Sequence, residues 1–65
     1  MDLTFELERE ADGRWMAEIP QVPGALAYGD TEDQAIARAE AIALRTLAAE
    51  LEESGKAKAL TFKTA

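Results

Sequence analysis

Neither cysteine nor histidine occurs among the 65 residues. Without thiols there is no disulfide framework and no thiolate metal site, and cysteine usage leaves the redox compartment open. Without imidazole the commonest general base and metal ligand is missing as well. Bases are scarce, 7 against 13 acids for a net charge of -6. That balance argues against a nucleic-acid backbone as the direct partner and suits a basic protein. No apolar run approaches the ~20 residues of a membrane span, and the opening stretch MDLTFELERE carries acids where a secretory leader carries lysines. The expectation is one cytoplasmic domain with no membrane contact and no cofactor. So small a domain buries only about 60% of the surface its unfolded chain exposes, so its stability margin is thin.

The charge that is present is unevenly spread. Up to Ala37 nine acids stand against two bases, whereas from Arg38 onward four acids face five bases. Charge-driven docking therefore belongs to the front half.

Leu3, Phe5 and Leu7 alternate with Thr4, Glu6 and Glu8, the period of two that marks a strand wet on one face and buried on the other. Asp12-Gly13 supplies positive-φ turn chemistry for a tight hairpin. Trp15, Ala17 and Ile19 then resume the alternation against Arg14, Met16 and Glu18, giving an antiparallel second strand. Residues 25–28, bounded by glycines, read as a third strand, and residues 59–63 as a fourth. Between them Thr31 is an N-cap with Gln34 completing a capping box, Glu32 and Asp33 sit in the first turn, and Gly55 stops a helix spanning residues 32–54. The expected fold is α+β, β-β-β-α-β, with a four-stranded sheet in the order 3-2-1-4. Strand four lies parallel to strand one, and the single helix covers one face. The other face then shows Thr4, Glu6, Glu8, Met16 and Glu18 to solvent.

On the helical wheel Ile36, Ala39, Ala43, Leu44, Leu47 and Leu51 share an arc that Ala35 and Ile42 widen and that contains Glu40. At 1.5 Å per residue the helix is roughly 33 Å long, against about 20 Å for a six-residue strand. The last two turns are expected to overhang the sheet. Ile42, Leu47 and Leu51 are accordingly candidates for a homo-oligomer interface, dimer or higher; the plain alternative is a helix rich in alanine for propensity alone.

The stretch IPQVPG has two prolines that fix φ near -65° and cannot donate to a ladder, so it ends strand two as a stiff corner. Gly24 permits the reversal into strand three. A stiff corner also loses little entropy on docking, so Pro20, Val22, Pro23 and Gly24 join Glu6, Glu8 and Glu18 as candidate partner-binding residues.

Gly13-Arg14-Trp15 leading into an apolar strand, then Ile19-Pro20-Gln21-Val22-Pro23-Gly24, then Gly29-Asp30-Thr31 and Gln34-Ala35-Ile36, resemble the HicB family, the antitoxins of HicA/HicB toxin–antitoxin systems. The ordered set spans about residues 3–55. It departs from the family pattern at Gln21, where an acidic residue is common. The resemblance implies a partial ribonuclease H-like fold and a partner, a small basic HicA-type ribonuclease. Many family members continue into a C-terminal DNA-binding domain beyond the point where this sequence stops, and for these residues direct operator binding is not expected. The alternative expectation is a self-associating interaction domain with no toxin partner.

A ribonuclease H-like outline raises the question of carboxylates holding magnesium, since two-metal chemistry needs clustered acids. Glu6 and Glu8 stand ~7 Å apart at strand spacing, with Glu18 on the same face. A solvated sheet face kept charged against aggregation accounts for them better, because the chain has no histidine and no glycine-rich phosphate loop. Trp15 reads as core rather than as a base-stacking platform, which would sit among lysines and arginines. No catalytic and no metal-binding residues are expected.

Overall fold

The computed structural model describes residues 1–64. In chain order the elements are β1 (Asp2–Arg9), β2 (Trp15–Glu18), β3 (Leu26–Gly29), α1 (Glu32–Ser54) and β4 (Thr61–Thr64). The sheet order is β3-β2-β1-β4, with β2 antiparallel to β1 and β3 and with β4 parallel to β1. That is the expected α+β topology, with the expected helix bounds. The sheet itself is longer than expected. β1 has eight residues, and its two halves have different neighbours: Asp2 to Phe5 pair with β4, and Glu6 to Arg9 with β2.

Local chemistry explains each junction. The β1–β2 turn spans residues 11–13, closed by Gly13 N–H to the Glu10 carbonyl at 2.9 Å and Glu10 N–H to the Arg14 carbonyl at 2.8 Å. Within this turn only Gly13 has positive φ, +90°. The loop is thus a turn followed by a left-handed glycine, and of the Asp12-Gly13 pair only the glycine takes the expected positive φ. Asp12 braces it by accepting from Arg14 N–H at 3.0 Å and from Arg14 Nε at 2.8 Å. At the helix start, Thr31 Oγ1 accepts from Gln34 N–H at 3.1 Å. The return bond of the capping box is displaced by one residue, Gln34 Oε1 accepting from Asp30 N–H at 2.8 Å. Gly55 ends the helix in the left-handed region, its N–H donating to the Leu51 carbonyl.

The core is Leu3, Ala17, Ile19, Val22, Ala25, Ala35, Ala39, Ala43 and Leu47. The helix contributes residues four apart, and four residues turn about 400°. Its buried stripe therefore winds about 40° per step. Alanine at three of these positions lets α1 lie close on the sheet. At Gly29 the approach is so near that a Cβ would stand 2.6 Å from the Ala35 nitrogen, so glycine is required there by space.

Leu47 corrects an expectation. It is 2% exposed and belongs to the core, so it is neither part of an overhang nor available as an oligomer contact. The physical reason is the longer β1 together with the elbow at residues 20–24, which brings Val22 into the core beneath the helix. Val22 is 3% exposed and is likewise removed from the partner-binding candidates.

Candidate functional site

Strand alternation and the pairing register place the residues of the outer sheet face, away from α1. Along one row run Leu26, Glu18 and Glu6; along the next, Tyr28, Met16 and Glu8. Further along β1 come Thr4 and Asp2, beside Lys63 and Thr61 of β4. The face is therefore split: an apolar strip at the β3 edge and an acidic strip on β1 and β2. Tyr28 and Leu26 are 39% and 37% exposed, among the few large apolar side chains so open to solvent. Met16 and Glu18 are half-buried, and Glu6 and Glu8 exposed.

Glu6 and Glu18 are direct register partners, a like-charge pair across two strands, which costs a few tenths of a kcal/mol to about 1 kcal/mol. The bases that share the outer face are engaged elsewhere. Lys63 pairs with Asp2 at 3.3 Å, and Arg14 with Asp12 at 2.8 Å. Arg14 also lies over the Tyr28 ring, 4.9 Å from its centroid. Its hydrogen bonds hold the Asp12 carboxyl below the ordinary carboxylate value and raise Arg14 in turn. Among the described residues no group of three or more acids, histidines or cysteines is placed to hold a metal ion, so Glu6, Glu8 and Glu18 share a face without converging.

The elbow closes the near end of this face as two successive proline-led turns. Val22 N–H donates to the Ile19 carbonyl at 3.0 Å, and Ala25 N–H to the Val22 carbonyl at 3.0 Å. Pro20 and Pro23 take the second position of each turn, and Gly24, at φ +86°, the third position of the latter. Pro20, Pro23 and Gly24 are exposed. Gln21 continues the contact with β1 by its side chain, where the backbone turns away at Pro20. The register puts Pro20 opposite Thr4, and Thr4 N–H donates instead to Gln21 Oε1 at 3.1 Å while Gln21 Nε2 donates to Thr4 Oγ1 at 2.9 Å.

On the opposite face α1 lies over β3 and β2, borders β1 and does not approach β4. This leaves a corner. Its floor is Phe5, Leu7, Leu60 and Phe62, with Phe5 and Phe62 stacked at 5.7 Å. Its wall is the helix flank carrying Ile36, Glu40, Leu44 and Leu51, of which Leu44 is 45% exposed. Ile42 is half-buried on the other flank, about 180° round the helix from Leu51. The two cannot form one patch. An open hollow of ≈ 470 Å³ lined by Glu50, Glu53, Ser54, Lys56 and Lys58 lies at the helix C-terminus, near Leu51 in sequence and away from the outer sheet face.

Sequence reasoning thus found the acids but missed Leu26 and Tyr28, which the alternation within residues 25–28 puts beside Glu18 and Met16. Among the described residues no helix is long and apolar enough to cross a membrane. No family model, no curated protein and no solved structure matches the chain.

Proposed function

We propose that this chain is a non-catalytic protein-binding module of the HicB-like antitoxin type, with a partial ribonuclease H-like fold, whose outer sheet face docks on a small basic ribonuclease toxin. The observation that carries the reading is the uncompensated acidic strip. Glu6, Glu8 and Glu18 take part in none of the ion pairs among the described residues, while Arg14 and Lys63, the bases on their face, are paired with Asp12 and Asp2. A basic surface laid on that strip relieves the Glu6–Glu18 repulsion, and its charge steers the encounter. Tyr28, Met16 and Leu26 supply the adjoining apolar area that slows dissociation. The exposed prolines of the elbow border the same face and dock with little loss of entropy. On this reading the module works in the cytoplasm, needs no cofactor and meets nucleic acid only through its partner.

The test is co-expression with the product of the adjacent reading frame, followed by pull-down and a ribonuclease assay. The expected result is a 1:1 complex that suppresses cleavage, weakens with salt and weakens further in Glu6→Lys/Glu18→Lys. A small basic product that neither binds nor is inhibited overturns the reading.

A second reading, a self-associating domain without a toxin, is favoured by the open apolar corner between Leu44 and the Phe5–Phe62 stack. Light scattering on the wild type and on Leu44→Glu tests it: a wild-type monomer at micromolar concentration removes it.

A further inference from the structure

We infer that the free edge of β3 is a pairing edge for a second copy of this chain, and that Arg38 keeps it shut. The direction of the edge groups follows from the ladder. Ile19 N–H donates to the Ala25 carbonyl at 2.9 Å, so by alternation Ala17 and Ala27, and Trp15 and Gly29, are the hydrogen-bonded pairs of β2 and β3. The backbone groups of Leu26 and Tyr28 therefore point away from β2, to the sheet edge.

Two of these four groups are occupied from within the chain. Leu26 N–H donates to the Gly24 carbonyl at 2.9 Å. The Tyr28 carbonyl accepts from Arg38 Nη1 at 2.8 Å, a side chain reaching down from the flank of α1 that overlooks β3. What remains outward is one acceptor, the Leu26 carbonyl, and one donor, the Tyr28 N–H.

This remainder is self-complementary. A second β3 laid antiparallel about a two-fold axis through Ala27 sets each Tyr28 N–H against the Leu26 carbonyl of the other copy, so two hydrogen bonds form and every leftover group is satisfied. It also sets Leu26 beside Tyr28 of the other copy on the outer face, covering the most exposed apolar residues of the strand. Arg38 opposes this in two ways. Its guanidinium fills the space at the edge, and the pairing would bring the two copies' guanidiniums to within about two strand rises, ~7 Å, of each other. A cation at an edge strand is a known deterrent to edge pairing.

The experiment compares the full chain, Arg38→Ala and Arg38→Lys, all in a Leu44→Glu background that closes the apolar corner as a route to association. Sedimentation and amide hydrogen exchange are read together. Arg38→Ala is expected to dimerise and to slow exchange at the Tyr28 amide by an order of magnitude or more, while the parent and Arg38→Lys stay monomeric with fast exchange there. An Arg38→Ala chain that stays monomeric overturns the inference. So does one that associates with Tyr28 exchange unchanged, or a parent whose Tyr28 amide is already protected in a dimer. None of these outcomes depends on a toxin partner.

Discussion

Gln21 and Thr4 grip each other through two hydrogen bonds, and in doing so they tie β1 to the elbow where the backbone has turned away at Pro20. Replacing Gln21 by alanine leaves the Thr4 N–H to water and frees the elbow, at a cost of about 1 kcal/mol. Gln21→Glu keeps an acceptor for the Thr4 N–H, and the Thr4 hydroxyl can turn to donate to the carboxylate. Urea denaturation is expected to show a loss for the alanine variant and little change for glutamate; equal losses contradict this account.

Leu47 and Leu44 lie three residues apart on one helix, with opposite fates under the same substitution. Leu47→Glu buries an unpaired carboxylate and costs about 3–5 kcal/mol, comparable with the whole stability of a small domain. Leu44→Glu places its charge in solvent. Thermal melts by far-UV dichroism are expected to show an unfolded Leu47→Glu and a folded Leu44→Glu chain.

Gly29 has no room for a side chain, since the Ala35 nitrogen stands where a methyl group would go. Gly29→Ala forces the first turn of α1 off the end of β3 and costs about 1–3 kcal/mol. The check is the denaturation midpoint, which remains unchanged only if helix and strand separate freely there.

Asp12 titrates below its ordinary value of 3.8 because the Arg14 backbone N–H and guanidinium bind its ionised form. The unfolded chain then takes up the proton first. The contribution of Asp12 to stability is therefore fully present above that value and is lost as pH falls from about 4 through the folded value. Melting temperatures of the wild type are expected to fall more steeply on acidification than those of Asp12→Asn, with a constant gap between them near neutrality. Parallel curves rule the linkage out.

The last turn of α1 has no base, and Glu52 and Glu53 stand where the helix dipole favours positive charge. Glu52→Lys is expected to stabilise the domain by about 0.3–1 kcal/mol at low salt, and the gain to shrink in high salt. A stability loss at low salt refutes it.

Much of the fold was legible because its signals are local. The alternation of Leu3, Phe5 and Leu7, the Thr31 cap and Gly55 each act within a few residues, and handedness then leaves few topologies for four strands and one helix. What escaped depends on contacts distant in sequence. That Val22 turns inward follows from two consecutive turns closing on each other. The separation of Ile42 from Leu51 depends on how the helix is rolled over the sheet. At the candidate site the acids were readable as one strand face, but the roles of Tyr28, Leu26, Gln21 and Arg38 required the register between strands.

Because no helix lies over β4, that strand is anchored by one neighbouring strand, the Phe5–Phe62 stack, the packing of Leu60 and a surface ion pair from Lys63 to Asp2, at the end of an exposed connection over residues 55–59. A strand so held can come away while the three-stranded meander stays docked under α1. Loss of structure under heat, denaturant or mechanical load then starts at this seam, and native-state exchange reads out two opening energies, the lower for the amides of β4 and the higher for those of β2.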